Sequence, residues 1–133
     1  MSHFTRVKTQ IMDLACLELA LSELDYRILH EAKIRGWQQQ QRPAQMVAQF
    51  PDLLCEYDIG FVRNHDTQAY DMVADWWAIR ERIGQDQDQI SQQIMQRYAY
   101  HKVLKTVQAQ GFTLAEEKQD AGQNLRLVVR KWG

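Results

Sequence analysis

Asp75, Tyr98 and His101 are the side chains in this 133-residue chain whose types suit acid–base chemistry or the holding of a small ligand. Histidine titrates near neutral pH, its unperturbed pKa lying near 6.5. The commoner role for a histidine on an apolar helix face is a core-edge ring with one nitrogen hydrogen-bonded. Asp75 precedes Trp76-Trp77, a setting that can perturb a carboxylate. Asp58 and Asp71 also draw notice. A four-residue turn Asn64 to Thr67 places Asp58 roughly opposite Asp71 or Val73, so that two like charges approach each other. Such a pair raises one pKa and makes a general acid/base candidate; the bland alternative is a solvated outer face.

Other catalytic arrangements find little support. Ser2, Ser22 and Ser91 sit at the terminus, in a helix and near a cap, none in a nucleophile-elbow setting. Gly60, Gly84 and Gly111 are isolated and make no phosphate-binding loop. His3, His30, His65 and His101 are dispersed, and nothing in their spacing requires His3, His30 and His101 to converge. No metal and no cofactor is expected. Arg6, Lys8, Lys33, Arg35, Arg126 and Arg130 fall on the polar sides of strands, with Phe4 and Trp37 on the same side. On adjacent strands they would form a basic, aromatic face able to hold single-stranded RNA. The net charge of −1 argues instead for an ordinary charged face.

The elements that would position these residues are legible from periodicity. His3 to Ile11 alternates as a half-buried strand, and Asp13 caps a helix carrying Leu14, Leu17, Leu21 and Leu24. Tyr26 to Trp37 reads as a strand with Ile28, His30, Ala32 and Ile34 on one side and a bulge or bend at Gly36. Gln38 to Arg42 reads as a turn. Ala44 to Phe50 fits either a strand or a short helix. Glu56 to Arg63 and Gln68 to Trp76 form a hairpin, and Ala78 to Ile83 is a short irregular or helical piece.

Asp86 to Gln110 is the one long helix, with Asp86, Asp88 and Ser91 as candidate caps and Gly111 as the terminating glycine. Its apolar stripe swings at Tyr98-Ala99-Tyr100. Ile90, Ile94, Met95 and Tyr98 share one face; Tyr100, Val103, Leu104 and Val107 share another. A helix with two such faces either kinks or buries them against two partners. Phe112 to Glu117 and Asn124 to Trp132 make a closing hairpin around Asp120-Ala121-Gly122. The resulting order, β-α-β-β-β-β-α-β-β, is that of an α+β protein: a single antiparallel sheet of about six to seven strands with two main helices on one face. Residues 1–133 read as a single domain.

Cys16 and Cys55 are far apart and form no Cys-x-x-Cys motif or disulfide framework, which fits a reducing compartment. The N-terminus has no apolar signal region, and no run is long and apolar enough to insert in a membrane. The expected location is cytoplasmic.

Several stretches together resemble a known family. They are Met1-Ser2-His3-Phe4-Thr5 leading into Lys8-Thr9-Gln10-Ile11, then Tyr57-Asp58-Ile59-Gly60-Phe61, Val73-Ala74-Asp75-Trp76-Trp77 and Gln96-Arg97-Tyr98-Ala99-Tyr100-His101, and finally Gly111-Phe112 with Arg126-Leu127-Val128-Val129-Arg130-Lys131-Trp132. In this order they resemble the hypothetical chloroplast reading frame thirty-five family over nearly the whole chain. The resemblance implies a cyanobacterial or algal-plastid lineage, with a stromal location if plastid-encoded, and implies no activity. The chain departs from the family pattern at residues 38–50 and 84–89.

Two function classes follow. The first is a non-catalytic binding or assembly module. It would act through an open sheet face (Arg6, Lys8, Lys33, Arg35, Trp37) or through the second stripe of the long helix (Tyr100, Val103, Val107), on another protein or on a second copy as a homo-oligomer. The second is a small enzyme or ligand-binder built around His101, Tyr98 and Asp75. The first is favoured because each catalytic candidate has a simpler structural explanation.

Overall fold

The computed structural model describes residues 3–119 and 125–131, and of the side chains from residue 112 onward only Val128. The elements in order are β1 (Thr5–Val7), α1 (Leu14–Glu23), β2 (Arg27–Arg35), β3 (Gln41–Gln49), β4 (Asp58–Arg63), β5 (Tyr70–Ala74), α2 (Trp76–Ile83), α3 (Gln87–Ala109), β6 (Phe112–Gln119) and β7 (Leu125–Lys131). The expected α+β order is present, with the short piece before the long helix resolved as α2 and the stretch from residue 41 as a strand.

Capping chemistry sets the helix ends. Asp13, Asp75 and Asp86 each accept a backbone N–H from the first turn of the helix they precede. Asp86 and Gln89 form a reciprocal capping box. Gly84 and Gly111 hold left-handed backbone just past the ends of α2 and α3, which glycine adopts without a Cβ clash.

The single larger sheet expected from the sequence divides in two. Five strands pair antiparallel in the order β1-β5-β4-β3-β2, and among the described residues β6 pairs with β7 in a separate two-stranded sheet. The length of α3 accounts for this. Its 23 residues span roughly 35 Å, and of them only Ile90, Ile94 and Tyr98 are buried. The helix therefore runs past the sheet before β6 begins. Strand β1 is also shorter than the alternation of residues 3–11 predicts.

The main core lies on one face of the sheet, where α1 contributes Leu17 and Leu21, α2 contributes Trp76 and Ile79, and α3 contributes Ile90, Ile94 and Tyr98. The strands meet them with Met46, Ile59, Phe61 and Met72. The opposite face is covered too. Pairing between β2 and β3 lapses at Glu31, whose φ is +47°. Before that point Ile28 packs on the main core; beyond it Ala32, Ile34 and Ala44 join a second cluster with Phe4, Val47 and Val73. The outer half of the β2–β3 hairpin thus folds as an arm over the back of the sheet. Gly60 lies beneath it: a Cβ there would sit 2.1 Å from Ile34 Cδ1. Gly36, at the tip, is similarly closed off by the Phe4 ring at 2.7 Å.

Candidate functional site

Three carboxylates lie under or beside this arm. Asp58, Asp71 and Asp75 are 0, 1 and 0% exposed, so the expectation of a solvated outer face does not hold. The hairpin register explains the change. Arg63 pairs with Tyr70 and Ile59 with Ala74, so the connection is longer than the turn Asn64 to Thr67 and Asp71 falls opposite Val62, not Asp58.

A buried charge is tolerable only with partners, and each aspartate has them. Asp58 takes a two-pronged grip from the Arg35 guanidinium, at 2.9 Å and 2.8 Å, and also accepts the Arg35 backbone N–H at 2.9 Å. Asp71 accepts from Arg6 at 2.7 Å and from the Asn64 amide at 3.0 Å. Asp75 caps α2 through the Ala78 N–H at 3.2 Å and accepts the Trp37 N–H, also at 3.2 Å. The aspartate favoured as an acid/base candidate therefore ties the tip of the arm to the start of α2.

The tip itself shapes an open cleft of about 400 Å³ between Arg35–Gln41 and Glu56-Tyr57. Gln38 and Gln39 hold φ of +56° and +62° there, a left-handed pair costing about 1–3 kcal/mol per residue and found where the surroundings enforce it. The Asp58 and Asp75 bonds to the preceding backbone are that enforcement. The cleft offers glutamine amides, which both donate and accept, beside Trp37 and Tyr57. It suits contact with a neutral polar group.

The basic residues do not form one open face, because two of them are engaged with buried carboxylates. Arg6 and Arg35 are committed to Asp71 and Asp58. Lys33 lines another depression with Glu31, Pro43 and Val62, and the side chains of Arg126 and Arg130 lie outside the described residues.

Tyr98 and His101 belong to a third place, where α1 crosses α3. The Tyr98 hydroxyl accepts the Met12 and Asp13 N–H groups at 3.1 Å and 3.2 Å. His101 pairs with Glu23, which also accepts from Arg97 at 2.6 Å. Burial alone would raise the Glu23 pKa, but the bonds from His101 and Arg97 outweigh it and hold it below the usual value. On the other flank Lys105 donates to Asp13 at 2.6 Å. At about 100° per residue, Arg97 and His101 lie on one side of α3 and Tyr98, Lys102 and Lys105 on the next. Both ends of α1 are thereby fastened across the longer helix. Among the described residues no group of three His, Cys, Asp or Glu side chains is placed to hold a metal ion; His30 pairs with Glu18 and His101 with Glu23.

The Asp13 contact makes a testable contribution to acid stability. The Lys105 hydrogen bond, aided by the Cys16 N–H, holds the Asp13 carboxyl well below the usual carboxylate range. A carboxyl depressed in the folded state stabilises above its unfolded pKa, about 3.9, and that support disappears as pH falls towards the folded value. Asn keeps the cap but not the charge. Asp13→Asn is therefore expected to be less stable than the parent at neutral pH, with the gap closing below about pH 4 in urea titrations. A gap independent of pH would contradict this.

The second stripe of α3 borders the Glu23 network through Tyr100, which lies edge-on to His101 with ring centroids 4.9 Å apart. Val103 is 42% exposed, and Tyr100, Leu104 and Val107 are only partly buried. Tyr100 stacks under the Arg97 guanidinium at 4.5 Å. The sequence reading missed Asp13 and Glu23 as the ion-pair anchors of α3. Their signal was positional: an N-cap and a last-turn acid on a helix whose partner carries Arg97, His101, Lys102 and Lys105.

The family model described as a protein of unknown function, DUF1257, matches residues 20–128. Curated relatives named "Uncharacterized protein ycf35" occur in Cyanophora paradoxa, at 30% identity over 99% of this chain and 98% of the relative, and in Guillardia theta, at 29% with the same coverage. One from Pyropia yezoensis is 28% identical, again over 99% and 98%. These are the relatives that the motif resemblance anticipates. No solved structure gives a significant match, and among the described residues no helix is long and apolar enough to cross a membrane.

Proposed function

This chain belongs to the DUF1257 family, and on that premise we propose that it is a non-catalytic binding and assembly module whose contact surface is the second stripe of α3, met by another protein. The observation that carries this reading is the division of α3 itself. Its first half buries Ile90, Ile94 and Tyr98, whereas in its second half Val103 is 42% exposed and Leu104 and Val107 are only partly buried. The rival reading, an enzyme or ligand-binder around Asp75, Tyr98 and His101, has less support. Asp75 caps α2, Tyr98 fixes the start of α1, and His101 is paired with Glu23. Asp75 lies at the arm, apart from Tyr98 and His101 at the α1–α3 crossing, and each of the three is engaged in a contact that supports the fold.

The test is parallel affinity capture from the native host with the wild-type chain and with Val103→Glu/Val107→Glu. Charging the centre of a contact patch costs about 2 kcal/mol or more, roughly thirtyfold in affinity. At least one protein captured by the wild type is expected to be lost from the variant, with the melting transition little changed. An identical capture profile would count against the proposal.

A further inference from the structure

The connection between β3 and β4 carries an apolar feature that neither helix stripe nor arm explains. Leu53 and Leu54 are each 73% exposed. Isolated exposed leucines are ordinary, but two in succession at a loop tip, where polar residues are the rule, point to a covered surface. The tip is held firmly. Asp52 accepts the Leu54 N–H at 2.9 Å, Arg82 donates to the Leu54 carbonyl at 3.0 Å, and the adjacent Cys55 is buried. The leucines are presented on a fixed frame.

Directly beside them is an open groove of about 440 Å³, with Tyr26, Phe50 and Ile83 among its walls and Asp52 and Arg82, of opposite charge, both lining it. Pro51 and Asp52, just before Leu53, line the groove, while both leucines lie outside it and exposed. We infer that a second copy of this chain docks here, each copy placing Leu53 and Leu54 in the groove of the other. A two-fold interface requires one patch to contain both halves of the contact, and this patch does: a projecting apolar tip and, beside it, a groove of mixed lining whose apolar wall is Tyr26, Phe50 and Ile83. In the proposed dimer Asp52 of each copy meets Arg82 of the other, the two residues of opposite charge that line the groove. The formal net charge of −1 leaves little long-range repulsion between copies. This surface is separate from the α3 stripe, so α3 stays available to a different protein.

Sedimentation velocity at about 10–100 μM, where a micromolar dimer is populated, provides the test. The wild type is expected to sediment as a dimer, and Leu53→Asp/Leu54→Asp as a monomer with unchanged melting. Asp52→Lys and Arg82→Glu are each expected to dimerise about a hundredfold more weakly, because the two-fold loses both symmetry-related charge pairs, each worth on the order of 1.4 kcal/mol. Mixed together they should recover wild-type affinity, because the mixed dimer restores opposite charges at both contacts, a rescue that damage within one chain cannot produce. Val103→Glu/Val107→Glu should remain dimeric. A wild type that is monomeric throughout, whatever else its leucines touch, would overturn the inference. So would a leucine variant that stays dimeric, a mixture no tighter than its components, or a dimer dissolved by the α3 substitutions.

Discussion

Replacing Gly60 with valine is expected to lower the unfolding free energy by about 3 kcal/mol or more, at or beyond the upper end of the range for overpacked cores. Alanine should already cost about 1–3 kcal/mol. A Cβ at this position would lie 2.1 Å from Ile34 Cδ1, 2.3 Å from Ile34 Cγ1 and 3.3 Å from Ala44 Cβ. A rotamer change can move the terminal methyl, but Cγ1 sits closer to the backbone, and Ile34 is fully buried. The arm has to lift, which loosens the Arg35–Asp58 grip and the cleft at Gln38–Gln41 together. Shortening Ile34 should relieve the clash, so Gly60→Ala/Ile34→Ala is expected to be less damaging than the sum of its parts in urea unfolding. A cost below about 0.5 kcal/mol for Gly60→Ala, with additive doubles, would mean that the arm does not close the back of the sheet.

The Arg35–Asp58 pair should give an asymmetric result. Breaking a buried ion pair from one side costs about 3–5 kcal/mol because the other charge is stranded. After Asp58→Ala the stranded group is Arg35, whose side chain is 38% exposed and can regain water, so about 2–3 kcal/mol is expected. After Arg35→Met the stranded group is Asp58, 1% exposed at its side chain, and the loss should reach the full 3–5 kcal/mol. The Asp58→Ala/Arg35→Met double variant should cost less than the sum of the two. Equal effects of the two single substitutions would indicate that Asp58 is hydrated and not sealed beneath the arm.

The Gly60 and Asp58 predictions also mark where the sequence stops being readable. Ile28, Ala32 and Ile34 share one side of a strand by period two, and they do so in the structure. What alternation cannot express is a bend. The ladder lapses at Glu31, so the same side of the same strand faces the main core at Ile28 and the second cluster at Ile34. Once the arm is folded over, positions that alternate as a polar outer face become a buried one, and Asp58, Asp71 and Asp75 turn from surface charges into paired interior ones. The helices were easier. The Asp13, Asp86, Gly84 and Gly111 signals are local chemistry, and the caps and breaks fall on them. Asp75 was singled out as a reactive carboxylate beside two tryptophans, although aspartate at that position also signals the cap of α2. The long-range partner it holds, the Trp37 N–H, depends on the arm and leaves no trace in spacing. The swing of the α3 stripe at Tyr98–Tyr100 was legible as two apolar faces, and the buried Ile90, Ile94 and Tyr98 account for the first of them.

The second face is the part of the account on which function depends, and a single cysteine can interrogate it. Cys16 and Cys55 are both buried, so the wild-type chain should react slowly with a maleimide. The Val103→Cys variant should react rapidly when purified, and several times more slowly when the same protein is placed in an extract of its native host. An Asp66→Cys control, in the exposed β4–β5 turn, should react equally in both. Protection at residue 103 alone is the predicted result; identical labelling of Val103→Cys in buffer and in extract would contradict a protein partner on this face of α3.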